Sequence, residues 1–149
     1  MSEKQNLNNY IIRHFRDEDY DEVNHLWESL GLGGKHRGDN LQIIKNTLEA
    51  GGCFYILEFV PNKKIIGTAW ITNDKRRLYL HHFGIHSDFQ GLKLSHLLME
   101  KCIEYGKMLN LQMKLEVHKT NVKAIELYKK YQFKSLGDYE VYIIREYKK

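Results

Sequence analysis

Apolar and polar positions alternate with two different periods along this chain, and each change of period marks a new element. Residues 10–15 read as a first strand, and Asp17, Glu18 and Asp19 behind it supply an N-cap and an acidic first turn suited to the positive end of a helix dipole. Tyr20, Val23, Leu26, Trp27 and Leu30 then recur at helical spacing, and Gly31 stands where a C-cap glycine belongs. Residues 31–38 are too glycine-rich for a regular element, so a second helix is expected only from an Asp39 cap to Gly51.

The period then shortens to two. Residues 53–60, 64–72 and 78–85 read as the antiparallel strands of a meander, broken at Pro61-Asn62-Lys63 and at Asn73-Asp74-Lys75. From Leu94 it lengthens again, with Leu94, Leu97, Leu98, Cys102, Tyr105, Met108 and Leu109 on one apolar stripe opposite Lys101, Glu104 and Lys107. Leu111, Met113, Leu115 and Val117 alternate with polar residues, which puts Glu116 and His118 on one face of a further strand. A short helix after Asn121 carries Ala124, Ile125 and Tyr128 on one side, and residues 133–136 and 139–145 read as a closing hairpin through Gly137-Asp138. The resulting order, β-α-α-β-β-β-α-β-α-β-β, predicts an α+β (mixed α/β) domain.

Composition narrows the picture. A chain of 149 residues has room for one domain, spanning 1–149, whose first nine residues are expected to be loosely ordered. Cys53 and Cys102 lie far apart in apolar surroundings and read as buried thiols of a reducing compartment. No metal is expected on His81, His82, His86 and His118, because adjacent strand histidines point to opposite faces. The N-terminal residues are polar and no apolar run approaches the roughly 18 residues of a membrane span, so a soluble, cytoplasmic protein without a membrane partner is expected. The net charge of +4 suits an anionic partner, but the charges alternate in sign and no arginine-rich stripe with interleaved aromatics appears, which argues against nucleic acid.

Candidate chemistry concentrates between Leu78 and Phe133. A strand leads into Gln90-Gly91-Leu92-Lys93-Leu94-Ser95 at the start of the strongest helix. A helix N-terminus offers unpaired N–H donors and about half a positive charge, a seat for a pyrophosphate. The junction resembles the coenzyme A motif Q/R-x-x-G-x-G/A of the GNAT superfamily of N-acetyltransferases, with Lys93 at the first motif glycine and Ser95 at the second. Downstream, Leu115-Glu116-Val117 followed by Asn121, Ala124, Ile125, Leu127-Tyr128 and Tyr131-x-Phe133 resembles the family's N-x-x-A-x-x-L-Y-x-x-x-G-F signature, with Gln132 in the glycine position. Lys93 is expected to need no positive φ in a first helical turn and to point outward as a cation near phosphate.

The resemblance implies a GNAT-like fold, a mostly antiparallel twisted sheet of about seven strands flanked by about four helices. It also implies a metal-free N-acetyltransferase that moves an acetyl group from acetyl-CoA to a primary amine by direct attack in a ternary complex. The alternative is a non-catalytic acyl-CoA-binding sensor of the same fold. Carried over residue by residue, the acyl donor is held by the backbone of Phe83, Gly84 and Ile85, by Gln90, Gly91, Leu92, Lys93, Leu94 and Ser95, and by Asn121 and Tyr128. Tyr128 is the expected general acid and Glu116 the expected base, with His81, His82 and His118 as rival bases. The acceptor, a small-molecule, peptide or protein amine, would sit between residues 31–38 and 137–142. There Trp27, Trp70, Tyr139 and Tyr142 are candidate lining, although core packing suits the tryptophans better, and Lys35 and Arg37 suggest a carboxylate or phosphate on the substrate. The apolar-aromatic segment 139–147 is a strand that an edge partner could pair, which leaves a homodimer open.

Overall fold

The computed structural model describes residues 2–33 and 37–148. Five strands form one sheet in the order β1-β2-β3-β4-β5: β1 Tyr10–His14, β2 Cys53–Phe59, β3 Lys64–Asn73, β4 Leu78–Ile85 and β5 Met113–Leu115. The first three pairings are antiparallel, and β4 with β5 is parallel. Helices α1 (Tyr20–Ser29) and α2 (Leu41–Glu49) cover one face, and α3 (Leu94–Leu109) and α4 (Val122–Lys130) the other. Four helices were expected. The sheet has five strands among the described residues where about seven were anticipated, because residues 133–148 form no ladder.

Two cores result. Phe54, Ile56, Ile65 and Trp70 of the sheet meet Val23, Leu26 and Trp27 of α1 and Ile44 of α2. On the other face Leu57, Ile66, Ile71, Leu78 and Leu80 meet Leu94, Leu98, Met99 and Cys102 of α3, with Tyr128 of α4. The middle of β3 is buried on both faces, so its sequence runs nearly continuously apolar. Both cysteines are buried free thiols. The N-terminal residues form two single 3₁₀ turns, and the Tyr10 hydroxyl donates to the Lys4 carbonyl at 2.6 Å.

One helix boundary moved for a local reason. The second helix is capped by Asn40, whose side chain accepts from Ile43 N–H at 2.9 Å, because Asp39 is turned toward His82 instead. A polar anchor ties the first strand to the first helix. Arg13 of β1 makes a two-pronged contact to Asp19 at 2.7 and 2.9 Å and a third to Glu58 of β2 at 3.1 Å.

Among the described residues, no helix is long and apolar enough to cross a membrane.

Candidate acyl-transfer site

The site begins where β4 and β5 part. Their pairing runs only from Leu78↔Met113 to Leu80↔Leu115, while β4 continues five residues further. A register shift between Thr68 and Trp70 on β3 bulges β4 at this point, and His82 takes the positive φ of 48° that the bulge demands. Thr68 pins the distortion: its hydroxyl donates to the His82 carbonyl at 2.7 Å and accepts from the Trp27 indole at 2.9 Å.

The bulge corrects one sequence expectation. His81 and His82 do not diverge; both rings lie 5.6 Å from Trp70, on the α1–α2 side of the sheet. His81 is held by Thr72 at 2.8 Å. His82 reaches Asp39 at 3.3 Å and packs on Trp27 at 4.2 Å. Burial pulls the His82 imidazole down to about 4, aided by His81 and Arg37 and opposed by the Leu32 backbone. Burial also lowers His81, against the opposing charge of Glu116. Both rings are therefore neutral at pH 7.

Past the bulge, His86 N–H donates to the Ile66 carbonyl on β3 at 2.7 Å. By strand alternation Gly84 also faces β3, whereas Phe83 and Ile85 turn their peptide groups toward the gap beside β5. The Ile85 carbonyl accepts from the Gln90 side chain at 2.9 Å. Gln90 thus serves as a brace between strand and turn. Gly84 provides room, since a Cβ there would lie 2.9 Å from Leu30 and 3.2 Å from Leu32.

The turn beneath the gap departs from expectation at Lys93, which sits in the left-handed region at φ 64° as the N-cap of α3. Its side chain makes no capping bond, so the conformation is the one glycine would adopt without strain. The same holds at Gln132, with φ 73°. There Phe133 N–H donates to the Tyr128 carbonyl at 3.0 Å and Gln132 N–H to Lys129 at 3.1 Å, a Schellman ending to α4. Both family glycines are replaced, yet both backbone conformations are kept. Replacing Lys93 by glycine should therefore raise the thermal midpoint by about 2–4 °C, from roughly 1 kcal/mol of relieved left-handed strain. A differential scanning measurement showing a lower midpoint would mean that the lysine side chain contributes more than its backbone costs.

Tyr128 lies on the floor of the gap, edge-on to Phe83 at 6.1 Å and to Phe133 at 5.7 Å. It is only 8% exposed, and among the described residues its hydroxyl enters no hydrogen bond. Burial pushes the phenol up to about 12, with the nearby Cys102 adding to the effect. Asn121 caps α4 by accepting from Ala124 N–H at 3.3 Å. Glu116 is exposed just past the end of β5, within electrostatic reach of His81. His118 is exposed and bonded to Thr120 at 2.7 Å.

Of the acceptor candidates, Trp27 and Trp70 belong to the core, at 1% and 3% exposure. Tyr139 and Tyr142 stand in solvent. Lys35 lies outside the described residues, and Arg37 is exposed near Asp39 and His82. Two members of this region carry no functional signal in the sequence: Asp39 reads as a helix cap, and Thr68 lies within an apolar strand.

The parted edge of β4 beside its parallel neighbour β5 and the N-terminus of α3 that follows it define the candidate site. The family model described as "Acetyltransferase (GNAT) family" matches residues 10–133, and the chain belongs to that family. Solved structures agree on the fold. An acetyltransferase of the GNAT family from Staphylococcus aureus Mu50 superposes with a TM-score of 0.78 at 20% identity, over 88% of each chain. An acetyltransferase from Streptococcus agalactiae 2603 gives 0.79 at 16% identity over 93% of each. A GNAT family acetyltransferase from Elizabethkingia anophelis with acetyl-CoA bound gives 0.60 at 17% identity, over 85% of this chain and 77% of that one.

Proposed function

We propose that this protein transfers an acetyl group from acetyl-CoA to a primary amine by direct attack in a ternary complex. The observation that carries the reading is the unpaired stretch of β4 at Phe83 and Ile85 beyond the end of β5, with the Tyr128 ring edge-on to Phe83 at 6.1 Å.

Each residue then has a task. The N–H groups at the start of α3, from Gln90 to Ser95, hold the pyrophosphate, with the Lys93 cation beside it. The Phe83 and Ile85 peptide groups align the pantetheine as a strand would, and N–H donors fixed before the reaction stabilise developing negative charge. When bound, acetyl-CoA supplies an activated acyl group and a thiolate leaving group. Tyr128 donates a hydrogen bond to that thiolate. Glu116 accepts the proton of the acceptor ammonium, with neutral His81 behind it.

The acceptor approaches from the α1–α2 side, where Arg37 favours one bearing a carboxylate or phosphate. Catalysis is tested by acceptor-dependent release of free thiol from acetyl-CoA across a panel of amines. Binding of acetyl-CoA without thiol release for any acceptor would instead favour the sensor reading.

The base is tested by pH. A general base must be deprotonated, so kcat/KM falls on the acidic side of its pKa. Glu116→Gln should abolish that acidic limb and cost roughly 10²–10⁴-fold in rate. An acidic limb that persists in Glu116→Gln and vanishes in His81→Gln would assign the base to His81.

A further inference from the structure

Helices α1 and α2 leave part of their face of the sheet open. The apolar core beneath them draws on β2 and β3 and takes no apolar side chain from β4 or β5. Leu78 and Leu80 of β4 and Leu115 of β5 belong to the opposite core. By strand alternation Tyr79 and His81, with Arg77 just before the strand, therefore share the α1–α2 side with Lys114 and Glu116. Tyr79 and His81 are half-buried there, and Lys114 and Glu116 are exposed.

These side chains form one row. The register sets Tyr79 opposite Lys114, whose ammonium lies 5.8 Å from the phenol ring. Tyr79 stacks on His81 at 6.3 Å with 22° between the ring planes, and Thr72 of β3 holds His81 at 2.8 Å. Glu116 is at the same end, within electrostatic reach of His81. At the other end Asp74 accepts from the Arg76 and Arg77 N–H groups at 2.8 and 2.6 Å, which holds both arginines in one tight turn. Among the described residues neither arginine nor Lys114 enters an ion pair, and the Arg77 guanidinium touches only the Arg76 carbonyl, at 3.5 Å. The row thus runs from the carboxylate and imidazole of the proposed base to cations that Asp74 balances only in part.

Length decides what such a row reads. His81 and Arg77 are four strand positions apart, about 13 Å at a rise of about 3.3 Å per residue. A free amino acid is too short to span it, since one carbon separates its amine from its carboxylate. An extended peptide advances by about 3.3–3.6 Å per residue, so one that brings its α-amine to His81 and Glu116 sets its third to fifth residues beside Lys114 and Arg77. We infer that the acceptor is the amino terminus of a polypeptide with acidic residues at positions three to five, laid along this row, an inference that rests on the acetyl-transfer reading of the cleft. Acidic side chains there complement Arg77 and Lys114, and Tyr79, braced between Lys114 and His81, is the flat floor beneath them.

Two peptides with free α-amino groups and a C-terminal fluorophore, identical except for glutamates or lysines at positions three to five, test it by anisotropy at low salt with CoA at saturation. The glutamate peptide should bind about tenfold more tightly, and salt at about 1 M should erase the difference. Arg77→Glu/Lys114→Glu should reverse the preference. Should that double variant fail to fold, Lys114→Glu alone, at its exposed position, should cut the preference by about threefold. Equal binding of the two peptides, or a preference that these substitutions leave intact, overturns the inference. A short single-stranded RNA that binds more tightly than the glutamate peptide and is released by the charge reversal overturns it as well, because the row then reads phosphates. Thiol release from acetyl-CoA separates the two readings. Release with other amines and no preference for the glutamate peptide removes the peptide acceptor alone. Preferential binding of the glutamate peptide with no release for any amine removes the acetyl-transfer reading and leaves the row as a surface that holds acidic peptides.

Discussion

Tyr128→Phe is expected to lower kcat by about 10²–10³-fold and to leave acetyl-CoA affinity nearly unchanged, as removal of a single preorganised donor does. The phenol is held up at about 12 by burial, so it keeps its proton throughout the physiological range. Complete transfer to a thiolate, whose acid form titrates near 8.5, would be uphill by about 3.5 pK units. The contribution of Tyr128 is therefore a hydrogen bond to charge as it forms. Two consequences separate this role from simple packing. Phenylalanine loses no hydrogen bond to the protein, so stability should change by less than about 1 kcal/mol. The wild-type rate should also show no alkaline limb from Tyr128 below pH 11. Unaltered turnover in Tyr128→Phe would remove the residue from the mechanism, and an alkaline limb near pH 9 that the variant abolishes would contradict the buried phenol.

The largest effect on stability is expected from Asp19→Ala. The carboxylate is 6% exposed, receives both terminal nitrogens of Arg13 and accepts from Arg16 N–H at 2.8 Å. Its loss leaves the largely buried Arg13 guanidinium with Glu58 and the His14 carbonyl, and breaking a buried pair costs about 3–5 kcal/mol. For a chain of this length the thermal midpoint should fall by roughly 6–20 °C. Burial alone would raise the Asp19 pKa, but the Arg13 hydrogen bonds and the Arg16 N–H outweigh it and hold the group below the usual carboxylate range. A carboxylate with a depressed folded pKa stabilises fully above its unfolded value near 3.9, and that contribution is lost as pH falls through the folded value. The stability gap between wild type and Asp19→Ala should thus be full at pH 7 and shrink in strong acid. Urea melts at pH 7 showing a gap under 1 kcal/mol would mean that Arg13 finds another partner.

Placement of the family's glycine positions explains why the motifs stayed legible despite their substitutions. Lys93 and Gln132 keep the left-handed φ that the chain path requires, at a cost that the packing around α3 and α4 absorbs. Phe133 matters more than its neighbour, because its ring and its N–H both fix Tyr128.

The sequence alone determined the order of elements through α4 and the family to which the chain belongs. Period, cap residues and linked motifs are local quantities, and they survive without knowledge of the fold. Only the tertiary structure decided the bulge that turns His81 and His82 to one face, the withdrawal of Asp39 from its cap to His82, and the division of Phe83, Gly84 and Ile85 into two outward peptide groups and one ladder residue. Each depends on a partner far away in sequence: Thr68 for the bulge, His82 for Asp39, Ile66 for the register of β4. The closing hairpin failed for the same reason. Its alternation marked residues 139–145 as a strand, but alternation carries no information about which edge supplies the ladder.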